Sequence, residues 1–152
     1  MSLTLDVPRR EIDVQTKHGR LHCVIQGQGD PLVFLHGALG TGLAHFREQV
    51  DEFSLTYGKS GRRDFFDEHF HQRDAEDVLA LVEHLELPRI HLCGFSDGAI
   101  VAMMVAGKYG ERVRSLVLIG GQTVLDEQTM ETTREWAPGD RLPTGFQDAL
   151  AR

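Results

Sequence analysis

The first ordered pattern along the chain is an alternation of apolar and polar residues between positions 11 and 26. Ile12 and Val14 alternate with polar neighbours before the turn residues 17–19, and the same alternation resumes after them. A period of two is typical of a half-buried strand. The pattern therefore predicts a β-hairpin over residues 11–26.

The next hundred residues alternate between short apolar runs and stretches in which apolar residues recur every three or four positions. A short continuous apolar run, typical of a strand buried on both faces, falls at 32–35. Further strands are predicted at 90–95 and at 113–119, a segment rich in Val, Leu and Ile. Apolar residues at helical spacing predict helices over 43–53 and 72–87, and the stretch 99–109, small and apolar all round, predicts a buried helix. Strands alternating with helices predict βαβ units and a mainly parallel sheet. The charged stretch 54–69 is expected to be irregular, and two short helices are expected near 126–136 and from 145 on.

Composition narrows the class of protein. The chain has 152 residues, a net charge of −7 and 41% hydrophobic residues. This hydrophobic content is enough for a buried core and excludes disorder throughout. The acidic balance argues against a nucleic-acid partner. Because no apolar run approaches the roughly 20 residues that span a bilayer, no membrane partner is expected.

Cys23 and Cys93 both lie inside apolar runs, and the first ten residues contain no apolar stretch of the kind that secretory signals carry. Both cysteines are expected to be buried, reduced thiols. Together these features predict a cytoplasmic protein.

Residues 94–98 fit the pattern G-x-S-x-G, with Ser96 at its centre. The pattern places a serine on a tight strand-to-helix turn, where a Cβ at Gly94 or Gly98 would clash with neighbouring elements. The hydroxyl then stands clear of the sheet, and the N-terminus of the next helix points toward it. This context predicts Ser96 as a nucleophile with a positive φ. The alternative is a structural turn in which the serine only caps the helix.

Gly37 follows the strand 32–35 in the sequence His36-Gly37-Ala38. A glycine there lets the loop fold back over the end of the strand. The backbone N–H groups of Ala38 and Asp97 could then face a developing oxyanion. The alternative is a glycine turn that only changes the direction of the chain.

With these motifs the sequence resembles the α/β-hydrolase superfamily over roughly residues 10–125. Beside the serine motif, the matching segments are 27–31, 33–37, 58–61 and 111–119. The resemblance implies a mainly parallel sheet with helices on both faces. It also implies hydrolysis of small-molecule esters through Ser96, with no metal and no organic cofactor.

Within that superfamily, residues 94–99 followed by Lys108-Tyr109 and Trp136 are most similar to the valacyclovir hydrolase (biphenyl hydrolase-like) group. That group cleaves esters of α-amino acids, and the acidic residue after its nucleophile holds the substrate ammonium. The resemblance therefore implies a substrate-binding role for Asp97. A carboxylate that is simply favourable at a helix N-terminus explains Asp97 equally well.

The chain departs from the family pattern in its histidines. The family order places an acid and then a histidine after the nucleophile, whereas all eight histidines here precede Ser96. We therefore expect the front part of a hydrolase: a partial core over 1–122, the start of a lid over 123–152, and the C-terminal strands missing. Because a serine without a base keeps an ordinary hydroxyl, the chain alone is expected to be inactive. The alternative is a non-catalytic hydrolase-like fragment or an interaction module.

A second departure precedes Gly58. The family places a strand there, between the strands 21–26 and 32–35, but only Ser54, Leu55 and Thr56 separate the helix 43–53 from Tyr57. One internal strand is therefore expected to be missing, unless 53–57 forms a stub. The gap and the strand 113–119 would then leave open sheet edges, which predicts self-association.

Two further patterns indicate chemistry only weakly. Gly58-Lys59-Ser60 is similar to the end of a phosphate-binding loop, but that motif requires glycine at Phe53. His69 and His71 could chelate a metal, yet no further ligand stands at useful spacing. A solvated pair of loop histidines is the simpler expectation.

Overall fold

The computed structural model of the chain describes residues 9–37, 42–52, 55–60, 69–124 and 127. The chain divides into two compact units, Met1–Gly121 and Gln122–Arg152. The helices predicted near 126–136 and from 145 on lie outside the described residues, apart from Glu127.

The described part of the first unit contains strands and helices in the order that the hydrophobic pattern predicts, with one addition. They are β1 (Arg10–Thr16), β2 (Gly19–Gln26), β3 (Leu32–Leu35), α1 (Gly42–Glu52), β4 (Leu55–Ser60), α2 (Phe70–His84), β5 (Ile90–Phe95), α3 (Asp97–Lys108) and β6 (Val113–Ile119), with a 3-10 turn at Gly110–Arg112. The predicted hairpin, the three further strands and the three helices are all confirmed.

The described strands form one sheet in the order β1-β2-β4-β3-β5-β6. The strands from β4 to β6 run parallel to one another, whereas β2 is antiparallel to both of its neighbours. Leu35 pairs with Gly94, and Phe95 pairs with Ile119. The carboxyl ends of β3, β5 and β6 therefore meet at one edge, where sites of such sheets form.

The position expected to lack a strand is occupied by β4. This strand pairs with β2 from Leu21↔Ser60 to Gln26↔Leu55, and with β3 through Val33↔Thr56, Phe34↔Tyr57 and Leu35↔Gly58. The prediction of a missing internal strand, and of an open edge beside β3, is therefore wrong. Pairing on both sides satisfies the backbone groups of this polar segment, so its place in the sheet outweighs its weak local strand signal.

Alternate residues of β3 pack into two hydrophobic clusters on opposite faces of the sheet. Val33 and Leu35 pack in one cluster with residues of α2 and α3. Phe34 packs on the opposite face against Phe46 of α1, with ring centroids 4.5 Å apart. Helices therefore cover both faces of the sheet, as the family resemblance implies. Among the described residues, no helix is long and apolar enough to cross a membrane.

β6 is the outermost strand of the sheet within the part of the chain that the structure describes. Its last four residues are all apolar and substantially exposed, at 36% for Leu116, 50% for Val117, 41% for Leu118 and 45% for Ile119. Consecutive residues of a strand point to opposite faces. β6 is therefore poorly covered on both faces as well as at its outer edge.

Candidate active site

Ser96 occupies the single residue between the end of β5 and the start of α3, with φ 54° and ψ −121°. Its N–H donates to the carbonyl of Ile119 at 2.8 Å, and its carbonyl accepts from Ala99 and Ile100 at 2.9 and 3.3 Å. These bonds hold the turn from both sides, which is what a strained backbone requires. The positive φ predicted for Ser96 is confirmed.

The glycines on either side of Ser96 permit a close approach between three elements. A Cβ at Gly94 would lie 2.3 Å from the carbonyl oxygen of Gly98, and a Cβ at Gly98 would lie 2.0 Å from the carbonyl oxygen of Leu35. Both distances are well inside van der Waals contact. Only glycine therefore lets α3 begin directly against β5 and β3.

The backbone after β3 passes beside the serine. A Cβ at Gly37 would lie 3.0 Å from the Cβ of Ser96, so this loop borders the hydroxyl. Asp97 opens α3, and no described residue accepts a hydrogen bond from its backbone N–H. Ala38 lies outside the described residues, so its part in an oxyanion site stays a prediction.

Two histidines, His36 and His45, contact the backbone of Gly37. The Nδ1–H of His36 donates to the carbonyl of Gly37 at 2.7 Å, and the N–H of Gly37 donates to Nδ1 of His45 at 3.2 Å. Because Nδ1 of His45 is an acceptor, its proton sits on Nε2 in the neutral ring. Partial burial lowers the pKa of His45, which favours that neutral form.

His71 brings a third imidazole to this region. Its Nε2 lies 3.1 Å from Oδ1 of Asp97, and the two side chains are 24% and 28% exposed. His71 belongs to the first turn of α2, and its ring packs at a tilt against that of Phe70, with ring centroids 3.8 Å apart. The expectation of solvated loop histidines is therefore wrong for His71. The spacing of residues could not reveal this contact, because 26 residues separate the two partners.

Among the described residues, no histidine is hydrogen-bonded to Ser96. Ser96 makes no side-chain hydrogen bond at the start of α3. His36, His45 and His71 each hydrogen-bond to Gly37 or Asp97 rather than to the serine in the described structure. The arrangement can present a hydroxyl to a carbonyl group beside backbone N–H donors.

These features define a class of protein before any comparison: a mainly parallel α/β sheet with a strained serine turn at the carboxyl ends of its strands. Residues 30–151 match the family model described as the alpha/beta hydrolase fold. The chain belongs to the α/β-hydrolase family.

Within this family, the chain is similar to relatives that are named serine hydrolases. The chain is similar to serine hydrolase BPHL of Homo sapiens, with 31% identity over 143 residues covering 82% of this chain and 49% of the relative. The mouse protein of the same name is 29% identical over 143 residues, covering 81% and 49%. The resemblance inferred from residues 94–99 is thereby confirmed. The chain spans about half the length of these relatives.

A solved structure supports the fold. A hydrolase from Pseudomonas aeruginosa superposes with a TM-score of 0.70, at 23% identity, over 84% of this chain and 52% of that one. At this identity the likeness concerns the fold alone.

Proposed function

We propose that Ser96 is the nucleophile of a hydrolase that transfers the acyl group of small-molecule esters to water. The observation that carries the proposal is the positive φ of Ser96 in the turn between β5 and α3. The close approach of Gly37 and the likeness to relatives named serine hydrolases support it.

The chemistry follows from the position of the hydroxyl. The Oγ of Ser96 would bond to the ester carbonyl carbon, and the backbone N–H groups of Asp97 and Ala38 would stabilise the oxyanion. Collapse of the tetrahedral intermediate breaks the bond to the alcohol, which leaves with a proton. Water then attacks the acyl-serine, releases the acid and restores the hydroxyl.

Asp97 is proposed to select the acyl group. Its carboxylate stands directly after the nucleophile and is about one quarter exposed. A carboxylate in that position would attract the ammonium of an α-amino-acid ester. This proposal extends the likeness to the BPHL relatives to a substrate class.

We propose that the component missing from this chain is the proton acceptor for Ser96. All eight histidines precede Ser96, whereas the family places its acid and histidine after the nucleophile. We therefore propose that the chain by itself lacks hydrolytic turnover, and that residues 123–152 begin a lid. The second candidate function is a non-catalytic hydrolase-like module, which the lack of a side-chain hydrogen bond to Ser96 at the start of α3 favours.

Chemical rescue separates the two candidates. The full chain is treated with a fluorophosphonate probe, with and without added imidazole as an external base, and the adduct is located by peptide mass spectrometry. We expect imidazole-dependent labelling of Ser96, because the missing base is then supplied from solution. The Ser96→Ala variant should lose the adduct.

Ser115 offers a matched control within the same sheet. Its hydroxyl lies 2.6 Å from Nδ1 of His91, so it has a hydrogen-bonded histidine but no strained turn. Ser115→Ala should retain full labelling at Ser96. Labelling of Ser115 alone, or no adduct on Ser96 at any imidazole concentration, would favour the non-catalytic module.

The outer edge of β6 is proposed to mediate self-association, because its exposed apolar residues border unpaired backbone in the described sheet.

A cytoplasmic location is also proposed. Cys23 and Cys93 are buried thiols outside any disulfide among the described residues, as suits a reducing compartment.

A further inference from the structure

The hydrogen bond between His71 and Asp97 occupies one oxygen of the carboxylate that follows Ser96. Nε2 of His71 lies 3.1 Å from Oδ1 of Asp97. An ionised carboxylate only accepts hydrogen bonds, so a neutral His71 must donate from Nε2. The second oxygen, Oδ2, then remains available to another donor. The two residues come from the first turns of α2 and α3, which pack together.

We propose that His71 determines whether Asp97 binds a cationic substrate group. The inference rests on the proposed function, in which Asp97 takes the substrate ammonium. A neutral His71 leaves the full negative charge of Asp97 to attract a cation. A protonated His71 forms an ion pair with Asp97 and cancels that charge, so an ammonium gains nothing there. Because imidazoles change charge between about pH 5 and 8, the preference for cationic over neutral ligands should fall on acidification.

Other charged groups near His71 lie on α2 and on the elements packed against it, α3 and the β1–β2 hairpin. On α2 itself the neighbouring groups are His69, Arg73 and Asp74. Among the described residues, the cations of the packed elements that contact α2 in an ion pair are Lys17 and His18 of the β1–β2 hairpin and Lys108 at the far end of α3. All three contact Glu76, at 2.9, 2.8 and 3.8 Å. They are therefore paired away from the carboxylate of Asp97.

Ligand binding tests the inference without requiring turnover. The full chain is titrated with isobutylammonium and with isobutanol, its neutral isostere, while the backbone amides of residues 96–98 are followed by 1H–15N NMR. An alkyl amine keeps its proton below about pH 10, so the probe stays cationic at both pH 8 and pH 5. We expect wild type to bind isobutylammonium more tightly than isobutanol at pH 8. The ratio of the two affinities should fall by about fivefold at pH 5, which is the largest effect expected of a partly exposed ion pair.

Variants test whether the pH dependence of cation binding depends on His71 and Asp97. His71→Gln keeps a neutral donor and should show the same preference at both pH values. His84→Gln makes the same change at the exposed last residue of α2 and should respond to pH as wild type does. Asp97→Asn should bind both probes equally at either pH. The same spectra report whether each variant is folded.

Each remaining outcome overturns a different statement. A wild-type preference for the cation that does not change with pH, or a pH response that survives in His71→Gln, would overturn the role of His71 while Asp97 keeps its proposed function. Equal binding of the two probes at both pH values in wild type and Asp97→Asn would overturn the ammonium site itself.

Discussion

Gly98 gives the most direct test of the packing that positions the serine. A Cβ at this residue would lie 2.0 Å from the carbonyl oxygen of Leu35 and 2.4 Å from its carbonyl carbon. Heavy atoms prefer separations of about 3.5–4.0 Å, so Gly98→Ala requires α3 to move by about 1 Å or more from β3. The clashing atoms belong to the backbone of a strand paired on both sides, so they cannot yield as a flexible side chain would.

The energetic cost follows from what must move with α3. The helix also buries Ala99, Val101, Ala102 and Val105, and displacing it loosens these contacts. Overpacking a core costs about 1–3 kcal/mol and occasionally more. We expect Gly98→Ala to lower the free energy of unfolding by about 3 kcal/mol, the upper end of that range, because backbone rather than side chain is displaced.

Gly107 provides the matched control on the same helix. A Cβ there meets nothing within 4 Å, and alanine is a better helix former than glycine by up to about 1 kcal/mol. Gly107→Ala should therefore leave stability unchanged or raise it. Urea unfolding of the full chain, followed by circular dichroism, measures both variants. If Gly98→Ala unfolds within about 0.5 kcal/mol of wild type, the close approach of α3 to β3 is refuted.

Three further predictions test the base, an ion pair and the sheet edge. Without added base, the chain should hydrolyse p-nitrophenyl acetate no faster than Ser96→Ala; a Ser96-dependent burst would show that an upstream histidine such as His36 is the base. Hydrogen bonds from Lys17 and His18 lower the pKa of Glu76 from 4.5 to about 2, so the stability contributed by its carboxylate is present above about pH 4.5 and lost as the pH falls toward 2. Thermal unfolding midpoints of Glu76→Gln should therefore fall less steeply than those of wild type over that interval, and equal slopes would contradict the assignment. Light scattering should show wild type as oligomeric and Val117→Lys shifted toward monomer, whereas Val124→Lys, at an exposed position after β6, should not differ from wild type.

The elements that were predictable are those specified by local patterns. The strands predicted at 32–35, 90–95 and 113–119 match β3, β5 and β6 residue for residue, because strands of a parallel sheet are rich in Val, Ile and Leu. The serine turn was equally accessible. Its glycines are required by contacts within about 3 Å, and such steric demands leave a visible mark on the sequence.

β4 is a strand that its local sequence pattern does not predict. Its residues read LTYGKS, with no continuous apolar run and a glycine in the middle, so the segment lacks the signal that identified the other parallel strands. Its strand conformation comes from partners on both sides, β2 in one direction and β3 in the other. Those partners lie far away in the sequence, and a polar segment between two existing strands satisfies more backbone groups by pairing than by remaining irregular.

The polar surroundings of Ser96 were the least predictable part, for a related reason. A glycine that must accept a close approach is constrained at its own position, whereas His71 contacts Asp97 only because α2 and α3 begin side by side. Any of the eight histidines would look equally suitable from spacing alone. Three of them come to the carboxyl end of the sheet on different elements: His36 after β3, His45 in α1 and His71 in α2. Each already has a hydrogen-bond partner other than the serine. Among the described residues, therefore, no histidine is hydrogen-bonded to Ser96, and labelling in the presence of imidazole tests whether an external base can take that place.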